Sequence, residues 1–266
     1  MPGKPQLSDP EFKEVSIVTT LNAFRDGANE IGAQKFAEER GLQLHNFHSL
    51  DERISAAKRN RSKAHQANRP HLTLREQKYL WDRPPCSTEH NPGIISLCLG
   101  MPVMIKNNVA VECGVTNGAE ALVVGWKANE HVLEDYKFSV LDVVFVRLKN
   151  PVKSIQLGGL PENVVPIYRR KVTIKCMLQN DNEMPISRTQ VPLVLNFAMT
   201  DFNSQGRTRP QNPLELSECR TFQSIYTCLS RSPSLAGTLI LSGLDTKKIR
   251  RLIQGKVHGN LLREFR

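Results

Sequence analysis

The chain's first ordered stretch is Val15-Ser-Ile-Val-Thr-Thr20, a short β-branched run. It leads at once into Asn22 to Arg40, where Phe24, Ala28, Ile31, Phe36 and Ala37 recur near helical spacing until Gly41 stops them. A strand that feeds directly into a helix is the building unit of a parallel α/β sheet, because parallel neighbours need a crossover and a helix supplies one. The connecting loop, Leu21-Asn-Ala-Phe-Arg25, then stands at the carboxyl end of a strand, where such folds place ligands.

A second apolar strand signal of this kind arrives only at Val191 to Ala198. From Val115 to Gln190 the texture is different, with β-rich runs at Ala121 to Trp126, Val140 to Leu148, Ser154 to Leu157 and Lys171 to Leu178. Asn117-Gly118 and Gly158-Gly159 are natural turn sites among them. Before them, Leu72 to Asp82 predicts a short helix ended by Pro84-Pro85, and Ile94 to Ile105 predicts two strands around Gly100 and Pro102. The expected organisation is a lead at 1–13, an α/β domain at 14–110 and 191–244, an inserted small β module at 111–190 and a tail at 245–266.

The net charge of +10 is unevenly spread. Residues 53–83 hold nine Lys or Arg against two acids, and residues 245–266 hold seven against two, so the remainder is close to neutral. Concentrated positive charge suits phosphate contact with counterion release, and it equally suits a solvated loop and tail. Six scattered Cys without a Cys-x-x-Cys pair read as free thiols in a reducing compartment. His45 and His48 have no further ligand residues beside them and read as surface residues rather than a metal site. Leu50-Asp51-Glu52 reads as surface charge, and no run of apolar residues is long enough to span a bilayer. An intracellular, nuclear protein without a membrane partner is expected.

The segment closest to chemistry is Asn196-Phe-Ala-Met-Thr-Asp-Phe-Asn-Ser-Gln-Gly-Arg-Thr208, followed by Tyr226-Thr-Cys-Leu-Ser-Arg231. The first block sets Gly206 beside Ser204-Gln205 at the end of an apolar run, where a backbone can turn tightly and face a phosphate or a nucleic-acid strand. The second ends on an Arg at a domain edge, able to reach phosphoryl charge in a neighbouring site or to pair with a carboxylate of its own fold. Phe222 and Tyr226 read as core residues. Trp81 and Trp126 could stack on bases, but packing is the commoner role, and Trp126 is expected to help fill the β module.

Taken in order, Asn22-x-x-Arg25, Leu99-Gly-Met-Pro-Val-Met-Ile105 with Asn107 and Asn108, Thr116-Asn-Gly118, Ser204-Gln-Gly-x-Thr208 and Tyr226-x-x-Leu-Ser-Arg231 resemble the PIF-type DNA helicases of superfamily one. The Helitron-related branch is the nearest likeness, and it runs from about residue 15 to residue 243. The resemblance implies the second of two RecA-like motor domains, interrupted by a small β-barrel-like module. It implies Arg231 as an arginine finger and Arg25 as a second cation near the γ-phosphate. Gln205 and Gly206 would couple nucleotide to DNA, with Thr200, Ser204, Asn107 and Asn108 beside the single strand. Asn203 departs from the family's frequent Lys before the Ser-Gln-Gly block and puts one phosphate contact in doubt.

No Gly-x-x-x-x-Gly-Lys-Ser/Thr occurs in the 266 residues. Phosphoryl transfer needs that loop, a Lys, and Mg²⁺ held by a hydroxyl and an Asp. ATP and Mg²⁺ are therefore expected only where an amino-terminal RecA-like domain, from the same gene product or another chain, completes the site. Three readings stand: a helicase half working 5′ to 3′ with that domain and inactive alone, a non-catalytic single-stranded DNA-binding module, and a decayed transposon fragment.

Overall fold

The structure, a computed structural model, describes residues 6–54, 72–151, 153–177 and 183–243, with 245, 247 and 250. The basic runs at 55–71 and 251–266 lie outside the described residues. In chain order the elements begin with β1 (Ile17–Thr19), α1 (Asn22–Glu39), β2 (His45–His48), β3 (Leu50–Arg53) and α2 (Leu74–Trp81). Next come β4 (Ile94–Leu97), β5 (Pro102–Ile105), β6 (Glu120–Leu133), β7 (Tyr136–Leu148), β8 (Val164–Tyr168), β9 (Arg170–Met177), β10 (Glu183–Gln190) and β11 (Leu193–Leu195). The last are β12 (Ala198–Thr200), α3 (Asp201–Ser204), β13 (Asn212–Glu215), α4 (Phe222–Leu229) and β14 (Thr238–Ser242).

Packing divides the chain into two units, one built from the residues up to Glu30 with those from Asn196 on, the other from Ile31–Leu195. The first contains a four-stranded sheet in the order β12-β1-β13-β14, every pair parallel. Thr19 lies beside Thr200 on one side and Glu215 on the other, and Glu215 beside Ser242, so all four carboxyl ends share one edge. Short β-branched and apolar runs suit these interior strands, since both faces are covered in a parallel sheet. Val18, Met199 and Leu214 are fully buried there. Asn29 of α1 fixes the first strand pair, donating to the Ala198 carbonyl at 3.2 Å and accepting from the Phe197 and Ala198 amides at 2.9 and 2.8 Å. Gly41, two residues past α1, takes the left-handed φ of +60° that a helix end often requires.

The second unit is antiparallel throughout. Its sheets are β11-β5-β6-β7-β8, β3-β10-β9 and β2-β4. The barrel-like closure expected of this module is not among the pairings of the described residues. The unit also exceeds the expected 111–190, for a physical reason: β5 is hydrogen-bonded between β6 and β11, and β2 pairs with β4. The two strands expected around Gly100 are present but sit in this antiparallel unit. The turn glycines Gly118 and Gly159 have φ of +86° and +78°, conformations open to glycine at no steric cost.

Charge is handled inside this unit. Arg188 is fully buried and forks onto Asp51, Nε to Oδ1 at 2.8 Å and Nη2 to Oδ2 at 2.7 Å, while donating to the carbonyls of Leu80 and Asn91. Ser49 and Gln77 donate to the same carboxylate. The reading of Leu50-Asp51-Glu52 as surface charge is thus half right. Glu52 is exposed and pairs with Lys171, but Asp51 faces inward because alternate residues of β3 face opposite sides. His48 is likewise not a surface residue: its ring lies 4.4 Å from that of Trp81 and 5.6 Å from that of Phe138. Burial lowers its pKa from the ordinary histidine value of 6.5, against smaller raising effects from Ser139 and Asp82.

Among the described residues no helix is long and apolar enough to cross a membrane, and all six cysteines are free.

Candidate functional site

In the parallel unit the chain leaves β12 at Thr200, makes the single turn α3, and then runs back as Gln205 to Gln211 to start β13. Thr200 is the residue before the helix, and Asp201 opens it, 5% exposed, its Oδ1 accepting the Phe202 amide at 3.0 Å. Burial raises the Asp201 pKa above the ordinary value, offset in part by backbone hydrogen bonds and by one from Ser224 of α4. That bond helps lay α3 against α4. Asp201 was not singled out from the sequence, where it stands unremarked inside the block that carries the Ser-Gln-Gly motif.

Ser204 is fully buried, and its hydroxyl donates back to the Asp201 carbonyl at 2.7 Å. Gln205 and Gly206, by contrast, are exposed. Gly206 has φ of +73°, and a Cβ placed there would meet no atom within 4 Å. The motif therefore splits into an inward serine that closes the turn and an outward amide and glycine open to a ligand.

The segment then connects to Arg231. The Arg209 amide donates to the Arg231 carbonyl at 2.9 Å, and the Arg209 guanidinium reaches the Ser16 carbonyl at 2.7 Å. Asn212 ties in the end of α4, donating to the Cys228 carbonyl and the Ser232 hydroxyl, each at 2.9 Å. Arg209 and Asn212 are buried positioning residues that sequence reasoning missed; their only signal was polarity beside apolar strands.

Arg231 itself follows the helix cap Ser230 and is half-buried. Its Nε donates to the Thr227 carbonyl at 3.1 Å and its Nη2 to the Ser230 hydroxyl at 2.8 Å. Both acceptors are neutral, and among the described residues no carboxylate forms an ion pair with it. A guanidinium oriented by neutral groups keeps its charge for an anion from outside. Arg25 is in the opposite situation. It is 8% exposed, its Nε donates to Asp26 at 2.8 Å and its Nη1 to Asn22 at 3.0 Å, so its charge is compensated by the next residue of α1.

The Arg209 amide joins Arg231 to the segment that follows the Ser-Gln-Gly block, while the Arg25 head is held by Asn22 and Asp26 at the start of α1.

Several large apolar side chains of this unit are exposed. Tyr226 is 61% exposed and stacks on the Phe222 ring at 6.4 Å, and Phe202 and Leu235 are 76% and 90% exposed. Tyr226 was expected in the core. The period of α4 instead assigns the core to Ile225 and Cys228.

Asn107 and Asn108 belong to the antiparallel unit, in the loop after β5. Asn108 is exposed and accepts the Asn117 amide at 2.8 Å, bracing the turn that ends at Gly118, while Asn107 is half-exposed. Among the described residues no three His, Cys, Asp or Glu side chains gather as metal ligands.

Comparison with known proteins bears on the sequence and the fold. No protein-family model matches the chain. Over 150 residues it is 32% identical to ATP-dependent DNA helicase PIF1 of Homo sapiens, a span covering 56% of this chain and 19% of that protein. It is 23% identical over 244 residues to protein 030L of invertebrate iridescent virus 6, covering 81% of this chain and 45% of that one. The crystal structure of Pif1 helicase from Candida albicans superposes with a TM-score of 0.55 at 18% identity, over 95% of this chain and 51% of the other. That of Bacteroides Pif1 bound to single-stranded DNA gives 0.54 at 20% identity, over 96% and 47%. The chain is related to the PIF1 helicases, takes the fold of part of one, and spans about half the length of these structures.

Proposed function

We propose that this chain is the carboxy-terminal motor half of a PIF-type DNA helicase, of the Helitron-related branch, acting on nucleotide held by another domain. The observation that carries the reading is Arg231: oriented by Thr227 and Ser230, uncompensated by any carboxylate among the described residues, and joined through Arg209 to the Gln205-Gly206 loop. Kinship in sequence and fold to the PIF1 helicases supports it.

The residues suit a nucleotide phosphate in a limited way. Arg231 would meet charge developing on the transferred phosphoryl group, which is where a rigid guanidinium is most effective. Gln205 and Gly206, leading into Arg209, would report the state of that site to a DNA strand passing Thr200, with Ser204 holding the turn in shape. Asn107 and Asn108 would add polar contacts to the strand from their own unit. Arg25, held at the start of α1 by Asp26 and Asn22, would stand as a second cation near the γ-phosphate. Nucleotide and Mg²⁺ supply the hydrolysis that drives movement, 5′ to 3′ in this reading, and an amino-terminal domain with a phosphate-binding loop would hold them. The exposed Phe202, Tyr226 and Leu235 are the apolar surface such a domain would cover.

The test is ATP hydrolysis stimulated by single-stranded DNA. The chain alone should show none. Joined to an amino-terminal motor domain that carries the phosphate-binding loop, it should show turnover that Arg231→Ala lowers by roughly 10³- to 10⁵-fold. Hydrolysis by the pure chain, or a joined protein indifferent to Arg231, refutes the proposal.

A further inference from the structure

We propose that a cleft around Trp126 in the antiparallel unit holds one base of a single nucleic-acid strand, stacked against the indole. This rests on the reading of the chain as a DNA-binding protein but concerns residues that, Leu99 apart, lie outside the motifs shared with the helicases.

The cleft has a volume of ≈ 340 Å³, within the range of about 300–1,000 Å³ usual for ligand pockets. Its lining is mostly apolar, from Trp126, Leu99 and Leu42, with His45 and Gln43 also among the lining residues. Leu99 and Leu42 are exposed rather than covered by their own unit, at 50% and 36%. The indole is fixed from behind: the Phe47 ring meets it edge-on at 5.4 Å, and the His45 ring lies tilted at 5.3 Å. A flat, supported ring beside polar groups suits a nucleobase, which has apolar faces and a polar edge.

The strand is shaped for an occupant. The pairing of β6 with β7 shifts register between Val123 and Gly125, immediately before Trp126, and a bulge of this kind re-aims the side chain that follows. Gly125 lines the cleft, and a Cβ there would meet no atom within 4 Å. Glycine inside a strand gives up packing and β-propensity, and it commonly marks close approach by a ligand. Among the described residues nothing in the unit fills the space beside Gly125.

One cation lies near the cleft: Arg40 sits over the Phe36 ring, 3.7 Å from its centroid, and its charge acts on Cys98, a lining residue. A phosphate flanking the stacked base could use that charge, whereas an apolar peptide could not. Stacking is tolerant of sequence, so the site should follow single strands generally.

The experiment is binding of labelled oligodeoxythymidylate to the full chain at low salt, by anisotropy. It is joined to photocrosslinking with 5-iodouracil in the same oligonucleotide and mapping of the adduct. The adduct should fall on Trp126 or His45. Trp126→Ala should weaken binding by at least about fivefold, Trp126→Phe much less, as expected for loss and retention of a stacking face. Gly125→Val, which keeps the indole and fills the cleft, should weaken it to a similar degree. Binding within twofold of wild type in both Trp126→Ala and Gly125→Val, with adducts elsewhere, overturns the site while leaving DNA binding to the helicase-motif residues. Binding lost from neither because the unaltered chain binds no oligonucleotide overturns both readings. Protection of Trp126 by an apolar peptide and not by the oligonucleotide overturns the base in favour of a protein partner.

Discussion

Arg188 in the antiparallel unit and Arg231 in the parallel unit carry the same guanidinium, and their surroundings make them opposite in consequence. Arg188 is fully buried, forked onto Asp51 and further held by two backbone carbonyls. Its charge is cancelled where it stands, so it can hold strands and helix α2 in register but cannot act on anything else. Arg231 is half-buried and held by a carbonyl and a hydroxyl, both neutral. Orientation without cancellation is what distinguishes a group built to meet an outside anion from one built into a fold. The antiparallel unit turns its principal ion pair inward, and the parallel unit leaves this cation at the end of a helix.

The contrast is tested hardest at Arg188. Replacing it by Ala strands the Asp51 carboxylate in the interior, and urea unfolding should show a loss of about 3–5 kcal/mol. Arg188→Met combined with Asp51→Leu should recover most of that, because two apolar groups of similar volume need no partner. A double variant as unstable as the single one would show that the pair is more than a mutual compensation.

Arg25 is expected next. Its loss leaves Asp26, whose side chain is 15% exposed, without its charged partner, at a cost of about 1.5–3 kcal/mol in the same measurement. A near-neutral Arg25→Ala would place Arg25 with Arg231 among the uncommitted cations.

The antiparallel unit also has a pH signature. His48 sits among aromatic rings with its pKa lowered by burial, so the unfolded chain binds its proton more readily than the folded one. Stability attributable to it is present above about pH 6.5 and declines as pH falls below that value. The unfolding midpoint should drop between pH 7.5 and pH 5.5, and by less in His48→Phe; equal drops would remove His48 as the cause.

Parts of this division were legible in the sequence. The strand and helix at Val15 to Arg40 announced themselves by β-branching and apolar period, and the α2 helix at Leu74–Trp81 by the Pro84-Pro85 stop beyond it; the Thr73 to Glu76 capping box that starts α2 went unread. The Ser-Gln-Gly block and Arg231 were readable as motifs, and the structure brings them together through one backbone bond. Asp51 was misread because alternation on a four-residue strand is too short to show which face is inward. Tyr226 was misread because its neighbour Phe222 suggested a core stripe, whereas α4 buries the Ile225 and Cys228 face. The extent of the antiparallel unit could not be read at all, since β5 finds partners on both sides that are distant in sequence. Long-range pairing leaves no local mark.

The smallest stability effect should be the most informative. Arg231→Ala removes two hydrogen bonds to acceptors within four residues, Thr227 and Ser230, and strands no opposite charge among the described residues. The expected change in unfolding free energy is within about 0.5 kcal/mol, as for surface substitutions that leave the core, caps and ion pairs alone. Arg231→Lys should be equally neutral for stability, yet in the joined motor it should not restore turnover fully, because an ammonium is a point charge and lacks the planar fork that meets two phosphoryl oxygens together. A stability loss near that of Arg25→Ala would mean that Arg231 is a strut of the parallel unit, and the division between a cation that holds and a cation that acts would fail at the residue on which the proposed function depends.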